Sequence, residues 1–102
     1  MKYETTPAFD ADFKRLTDDE KKRFRKALTA FIPAADRLAA DPTARWPKSL
    51  RVKDVKGAAG IWEMTWSFSG PDGRATFEWI TIDAERAIRW RRVGGHEVFK
   101  EP

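Results

Sequence analysis

The hydrophobic positions of the chain change their period once, near Pro47. Before it, Phe9, Phe13 and Leu16 follow the four-and-three spacing of one helix face. Thr17-Asp18-Asp19-Glu20 reads as a capping box, in which Thr17 and Glu20 satisfy each other's backbone amides and start a second helix. Phe24, Leu28 and Phe31 line one face of that helix, and Lys21, Lys22, Arg23, Arg25 and Lys26 lie mostly on the others. Pro33 is expected to kink or interrupt it, Ala34–Ala40 to resume it, and Asp41-Pro42 to stop it. Residues 9–41 are thus a helical hairpin or a kinked pair. Ahead of them, residues 2–8 form a short extended segment that Pro7 ends or confines to a sheet edge.

After Pro47 the period is two. Leu50 and Val52 form a weak alternating run. Trp62, Met64, Trp66 and Phe68 form a strong one, as do Ala75, Phe77 and Trp79, and then Ile88 and Trp90. SGPDGR, residues 69–74, has the composition of a hairpin turn, and a second turn falls near Asp83–Arg86. The fold class predicted is two-layer α+β, with an N-terminal strand and a helical pair packed on an antiparallel sheet. The 102 residues make one domain, 1–102.

Composition removes several chemistries. There are no cysteines and one histidine, so disulfides, thiolate zinc and a protein zinc site are not expected. No glycine-rich phosphate loop or nucleophile elbow is present, and no cofactor is expected. No apolar run is long enough to span a bilayer and the N-terminus has no apolar h-region, which predicts a cytoplasmic protein away from membranes. Lys and Arg exceed Asp and Glu by 20 to 16, a net +4 that points weakly to polyanions.

The location of the charge matters more. Strand alternation assigns the large apolar residues to the face under the helices. It sends Arg51, Lys53, Glu63, Thr65, Ser67, Arg74, Thr76, Glu78, Arg89 and Arg91 to the other face. That face is net basic. An outer face whose charges pair across strands is the simpler reading. However, His96 follows the strand bearing Arg89 and Arg91, and Gly94-Gly95 can turn the chain so that His96 and Phe99 border the basic face. An imidazole and an aromatic ring beside a cationic groove suit a nucleotide phosphate and base.

FDADFKRLTDDEKKRFRKAL, KSLRVKDVKGAAGIWEMTW and, above all, IRWRRVGGHEVFK resemble the RelE/ParE superfamily of type II toxin–antitoxin toxins. The ending is most similar to the RelE/YafQ-like mRNA interferase branch. The resemblance implies a ribosome-dependent endoribonuclease that cuts mRNA without metal, the 2′-hydroxyl attacking the adjacent phosphate. It implies a cognate antitoxin as partner, and DNA only through the toxin–antitoxin complex. It assigns the acid/base role to His96, scissile-phosphate binding to Arg74, and base support to Phe99. Lys53 and Lys56 become phosphate ligands, and Arg51, Arg89 and Arg91 complete the cationic surface. Phe99 stands where some relatives carry a tyrosine, so a second proton-transfer group is needed. Glu63 or Glu78 could supply it, and Glu63 is the candidate. A gyrase-inhibiting ParE-like toxin, or a non-toxic subunit that binds antitoxin as co-repressor, are the alternatives.

Overall fold

The computed structural model describes residues 1–67, 73–95, 98 and 100–102. Residues 69–72 of the turn expected over 69–74, with Phe68, His96 and Phe99, lie outside the described residues, while Gly73 and Arg74 begin a strand. The elements are β1 (Tyr3–Thr5), α1 (Pro7–Arg15), α2 (Asp18–Ala40), a short 3-10 turn (Lys48–Leu50), β2 (Lys53–Asp54), β3 (Trp62–Ser67), β4 (Gly73–Ile82) and β5 (Glu85–Gly94). The five strands form one sheet in the order β1-β5-β4-β3-β2, with the two helices packed on one face. The class is α+β, as expected. The sheet is mixed rather than antiparallel, because β1 joins β5 in parallel, Glu4 opposite Arg89.

The helices start where their caps place them. Thr6 Oγ1 accepts the Phe9 amide at 3.1 Å, with Pro7 at the first helical position. The capping box of α2 is complete, with the Thr17 and Glu20 bonds at 2.9 and 3.1 Å. Helix α2 runs unbroken through Pro33. Phe31, Ala34 and Ala35, all buried around Pro33, anchor that stretch and offset the missing hydrogen bond. The helix ends at Asp41, whose carboxylate accepts from both the amide and hydroxyl of Thr43. Those bonds hold its pKa below the usual carboxylate range.

The core is aromatic. Phe31 meets Trp46, Phe77 and Trp90 at centroid distances of 4.9, 5.1 and 4.8 Å. Phe24 meets Trp66 and Trp90 edge to face. Across the sheet the apolar rows are Trp62–Phe77–Trp90 and Met64–Ala75–Val93.

Two bulges distort the regular ladder. At the first, Trp66 is the extra residue between Thr65 and Ser67. Its indole Nε1–H donates to the Arg74 carbonyl at 2.9 Å, and its ring lies over Gly73. A methyl on Gly73 would stand 2.4–2.7 Å from the indole carbons. Gly73→Ala is therefore expected to lower stability by about 1–3 kcal/mol through forced displacement of the ring, read as a lower urea midpoint. An unchanged midpoint would show that the ring moves freely.

The Leu50–Val52 run is a correction. It is not a strand: Leu50 ends the 3-10 turn and Arg51 caps it at φ 46°. A left-handed residue breaks alternation, so pairing begins only at Lys53. The β4–β5 hairpin closes on Asp83 and Ala84, both with positive φ, a two-residue turn matching the strand twist.

Candidate nucleic-acid interface

The face turned away from the helices carries three rows. Lys53, Glu63, Thr76 and Arg92 are successive cross-strand neighbours. Thr65, Arg74 and Gly94 form the next row, and Glu78, Arg89 and Glu4 the third. The register thus brings Arg74, Glu63, Lys53 and Arg89 to one face. Arg51 is exposed at the end of the 3-10 turn, outside strand register, and Lys56 is exposed in the β2–β3 loop. That loop is closed by Val55, Ala58 and Ile61 backbone bonds and by Gly57 and Gly60 at φ 80°.

Much of this face is charge-paired. Lys53 Nζ lies 3.4 Å from the buried Glu63 carboxylate. Glu78 sits between Arg89, at 3.8 Å, and Arg91, which donates Nη1–H to it. Arg89 also donates Nε–H to Glu4, which holds the guanidinium more basic than usual. Arg74 donates weakly to the Gly73 carbonyl, at 3.5 Å.

The second bulge reshapes the site. Phe77 pairs with Trp90 and Thr76 with Arg92, leaving Arg91 as the extra residue. Beyond it, Val93 falls into the core. Two consecutive arginines therefore reach the same region instead of opposite faces. Strand alternation alone missed Arg92. The sequence does hold a signal: Trp90 and Val93 are both core-type residues three apart, which a regular strand cannot bury together.

Asp12 is the other residue missed. It is 6% exposed, on α1. Its two oxygens accept from Arg92 Nε–H at 2.6 Å and Nη2–H at 3.1 Å, and Oδ2 also accepts the Val93 amide at 3.2 Å. Strand β1 stops at Thr5, and Asp12 supplies an acceptor to β5 beyond that point. Nothing in the helix period marks it, since it reads as an ordinary polar position.

Residues 101 and 102 lie against this face. Thr76, fully buried, donates its hydroxyl to a main-chain oxygen of Pro102 at 3.1 Å. Arg91 Nε–H donates to the same oxygen at 2.9 Å, and Arg92 Nη1–H to the Glu101 carbonyl at 3.1 Å. Beside this tail lies a cavity of about 410 Å³, bordered by Arg91, Arg92, Thr6, Ala58 and Pro102. His96 and Phe99 lie outside the described residues. Gly94 stands directly opposite Arg74.

On the helix side, at the β1 edge, an apolar groove of about 380 Å³ runs among Tyr3, Phe9, Phe13, Leu28, Ile32 and Trp90. Tyr3 and Ile32 are exposed, and Lys21 and Arg25 stand over the Phe13 ring at 5.5 and 5.7 Å. Among the described residues, no helix is long and apolar enough to cross a membrane.

No protein-family model matches the chain, and no curated protein matches its sequence. Among solved structures, the chain is similar to a YoeB/ParE toxin from Agrobacterium tumefaciens, at 14% identity and a TM-score of 0.57. The match covers 94% of this chain and 99% of that one. The two share a fold, which in this chain is a pair of helices on a five-stranded mixed sheet.

Proposed function

We propose that the chain is the toxin of a type II toxin–antitoxin pair and acts as a ribosome-dependent endoribonuclease. The shared fold supports the toxin role. The observation that carries the reaction is the arginine cluster made by the β5 bulge, with Arg91 and Arg92 together, Thr76 beside them and Arg74 opposite Gly94 where the chain leads on to His96. Phosphoryl chemistry of this kind needs cations where negative charge develops, and a group that can both take and give a proton.

In this reading the message's 2′-hydroxyl attacks the adjacent phosphate. The P–O bond to the 5′-oxygen breaks, a 2′,3′-cyclic phosphate forms, and the leaving oxygen takes a proton. His96 serves one of the proton steps, its ordinary pKa near 6.5 suiting either. Glu63, buried beside Lys53, is the second acid/base candidate. Arg74 and Arg91 neutralise the phosphorane, Lys53 and Lys56 hold flanking phosphates, and Phe99 supports a base. Arg51, off the sheet, and Arg89, held between Glu4 and Glu78, add positive field only. The antitoxin, as an amphipathic segment with acidic flanks, matches the apolar groove and its Lys21 and Arg25 rim.

The test is induced expression in a bacterium with mRNA 5′ ends mapped within minutes. New in-frame cuts are expected with the wild-type chain. His96→Ala is expected to reduce cutting by about 10²–10⁴-fold, and Arg74→Ala by about 10²–10³-fold. Cuts that persist in His96→Ala at equal expression would remove its assigned role. A DNA-damage response without cuts would move the reading to gyrase inhibition.

A further inference from the structure

The β5 bulge brings two guanidiniums to the same region, and like charges so placed repel. Each is held by a carboxylate on a different element. Glu78, on β4, accepts Nη1–H of Arg91. Asp12, on α1, accepts Nε–H and Nη2–H of Arg92 at 2.6 and 3.1 Å. The Asp12 grip is the stiffer of the two, because a pair of bonds fixes the plane of a guanidinium. Asp12 is itself fixed, by burial and by the Val93 amide at 3.2 Å. A support for the strand edge needs only one acceptor for that amide, which an asparagine would supply as well. The carboxylate adds two things: a fixed plane for Arg92 and a cancelled charge. The cavity of about 410 Å³ is bordered by both arginines, so the placing of Arg92 relative to Arg91 shapes what that space accepts.

We propose that Asp12 is a positioning residue that acts through Arg92: it sets the plane of that guanidinium beside Arg91, so that the pair recognises an RNA phosphate by directed hydrogen bonds rather than by net charge. This rests on the reading of the face as the surface where RNA is bound and cut. Each arginine of the pair meets a carboxylate, which leaves little net charge to hold an anion loosely. What remains is geometry. A guanidinium gripped along Nε and Nη2 is already ordered before the ligand arrives. Donors fixed in advance also act most strongly on charge that develops during reaction. Arg92 is then a phosphate ligand beside Arg74 and Arg91, and Asp12 the residue that aims it.

The experiment compares the wild-type chain with Asp12→Asn and Arg92→Lys. Asparagine keeps an acceptor for the Val93 amide but removes the charge, while lysine keeps the charge of Arg92 but removes its planar fork. Urea midpoints give the folded fraction of each, to which rates are referred. Two quantities are then read: single-turnover cutting of a short message on ribosomes, and binding of a 2′-O-methylated RNA hexamer, which cannot be cut, over a range of salt. Both variants are expected to lower the cutting rate constant about 10²-fold, the effect of a misplaced group. In Asp12→Asn the half-saturating concentration should be unchanged or lower, because a cation has been uncovered. Its hexamer affinity should fall more steeply with salt, by about 0.7 in the log–log slope for one charge. Arg92→Lys should bind the hexamer more weakly at the wild-type slope. An unchanged slope in Asp12→Asn would place Arg92 away from the bound phosphates and overturn the proposal. So would a wild-type cutting rate in folded Asp12→Asn, which would leave the ribonuclease reading standing. The expected binding changes with no cutting by any of the three chains would keep Asp12 in its role and sink the ribonuclease reading. Neither binding nor cutting by the wild-type chain would overturn both.

Discussion

Replacing Asp12 with alanine is expected to cost about 3–5 kcal/mol of stability, the range for breaking a buried ion pair from one side. The change strands two groups at once. The Arg92 guanidinium, 19% exposed, loses both of its Asp12 bonds, and the Val93 amide loses its acceptor. A domain of this size has about 5–15 kcal/mol to lose, so the variant should unfold at markedly lower urea. Asp12→Asn keeps one acceptor for the Val93 amide, and its cost should be about 1.5–3 kcal/mol, the worth of the charged hydrogen bonds it loses. A drop under about 1 kcal/mol for Asp12→Ala would mean that Arg92 finds water and that the clamp is dispensable. The same variant frees Arg92 from α1, so the anion affinity of the Arg91–Arg92 cluster should change with stability. Loss of stability alone would mark Asp12 as a structural support of the strand edge.

Phe31→Ala is the second large effect, expected at about 3–5 kcal/mol. Phe31 is 1% exposed and touches three rings, from the loop after α2, from β4 and from β5. Truncation removes the transfer energy of the ring and leaves a cavity that two tryptophans and a phenylalanine are too rigid to fill. Phe31→Leu keeps much of the volume and should cost clearly less than Phe31→Ala. Equal urea midpoints for the two variants would show that volume is not what the site requires. Tryptophan fluorescence should also change, because the rings of Trp46 and Trp90 both pack on Phe31.

These two residues mark what the sequence could and could not reveal. Phe31 was legible: it sits at helical spacing from Phe24 and Leu28, and burial followed the period. The Thr17–Glu20 cap was legible for the same reason, since local chemistry decides it. Pro33 was not, because packing of Phe31, Ala34 and Ala35 outweighs a local penalty that pattern alone cannot weigh. Arg51 was misplaced because SLRV alternates like a strand while its backbone turns left-handed. The outer face was legible as a set of residues, but its pairing was not, since Glu63 with Lys53 and Glu78 with Arg91 depend on register. Asp12 and the tail contacts join residues about 80 and 11 positions apart from their partners, and no periodicity carries such information.

The parallel pairing of β1 with β5 has a consequence for how the molecule is made. Glu4 and Arg89 are bonded neighbours 85 positions apart. A chain emerging from the ribosome therefore presents its first strand and both helices long before the strand they need exists. The early segment has an amphipathic stripe with no sheet to cover, and closure of the edge must await synthesis of β5. Arg91 and Arg92 belong to β5. The cationic cluster is thus assembled only after β5 has been made, together with the fold, and a nascent chain that stops short of β5 cannot carry it in working form.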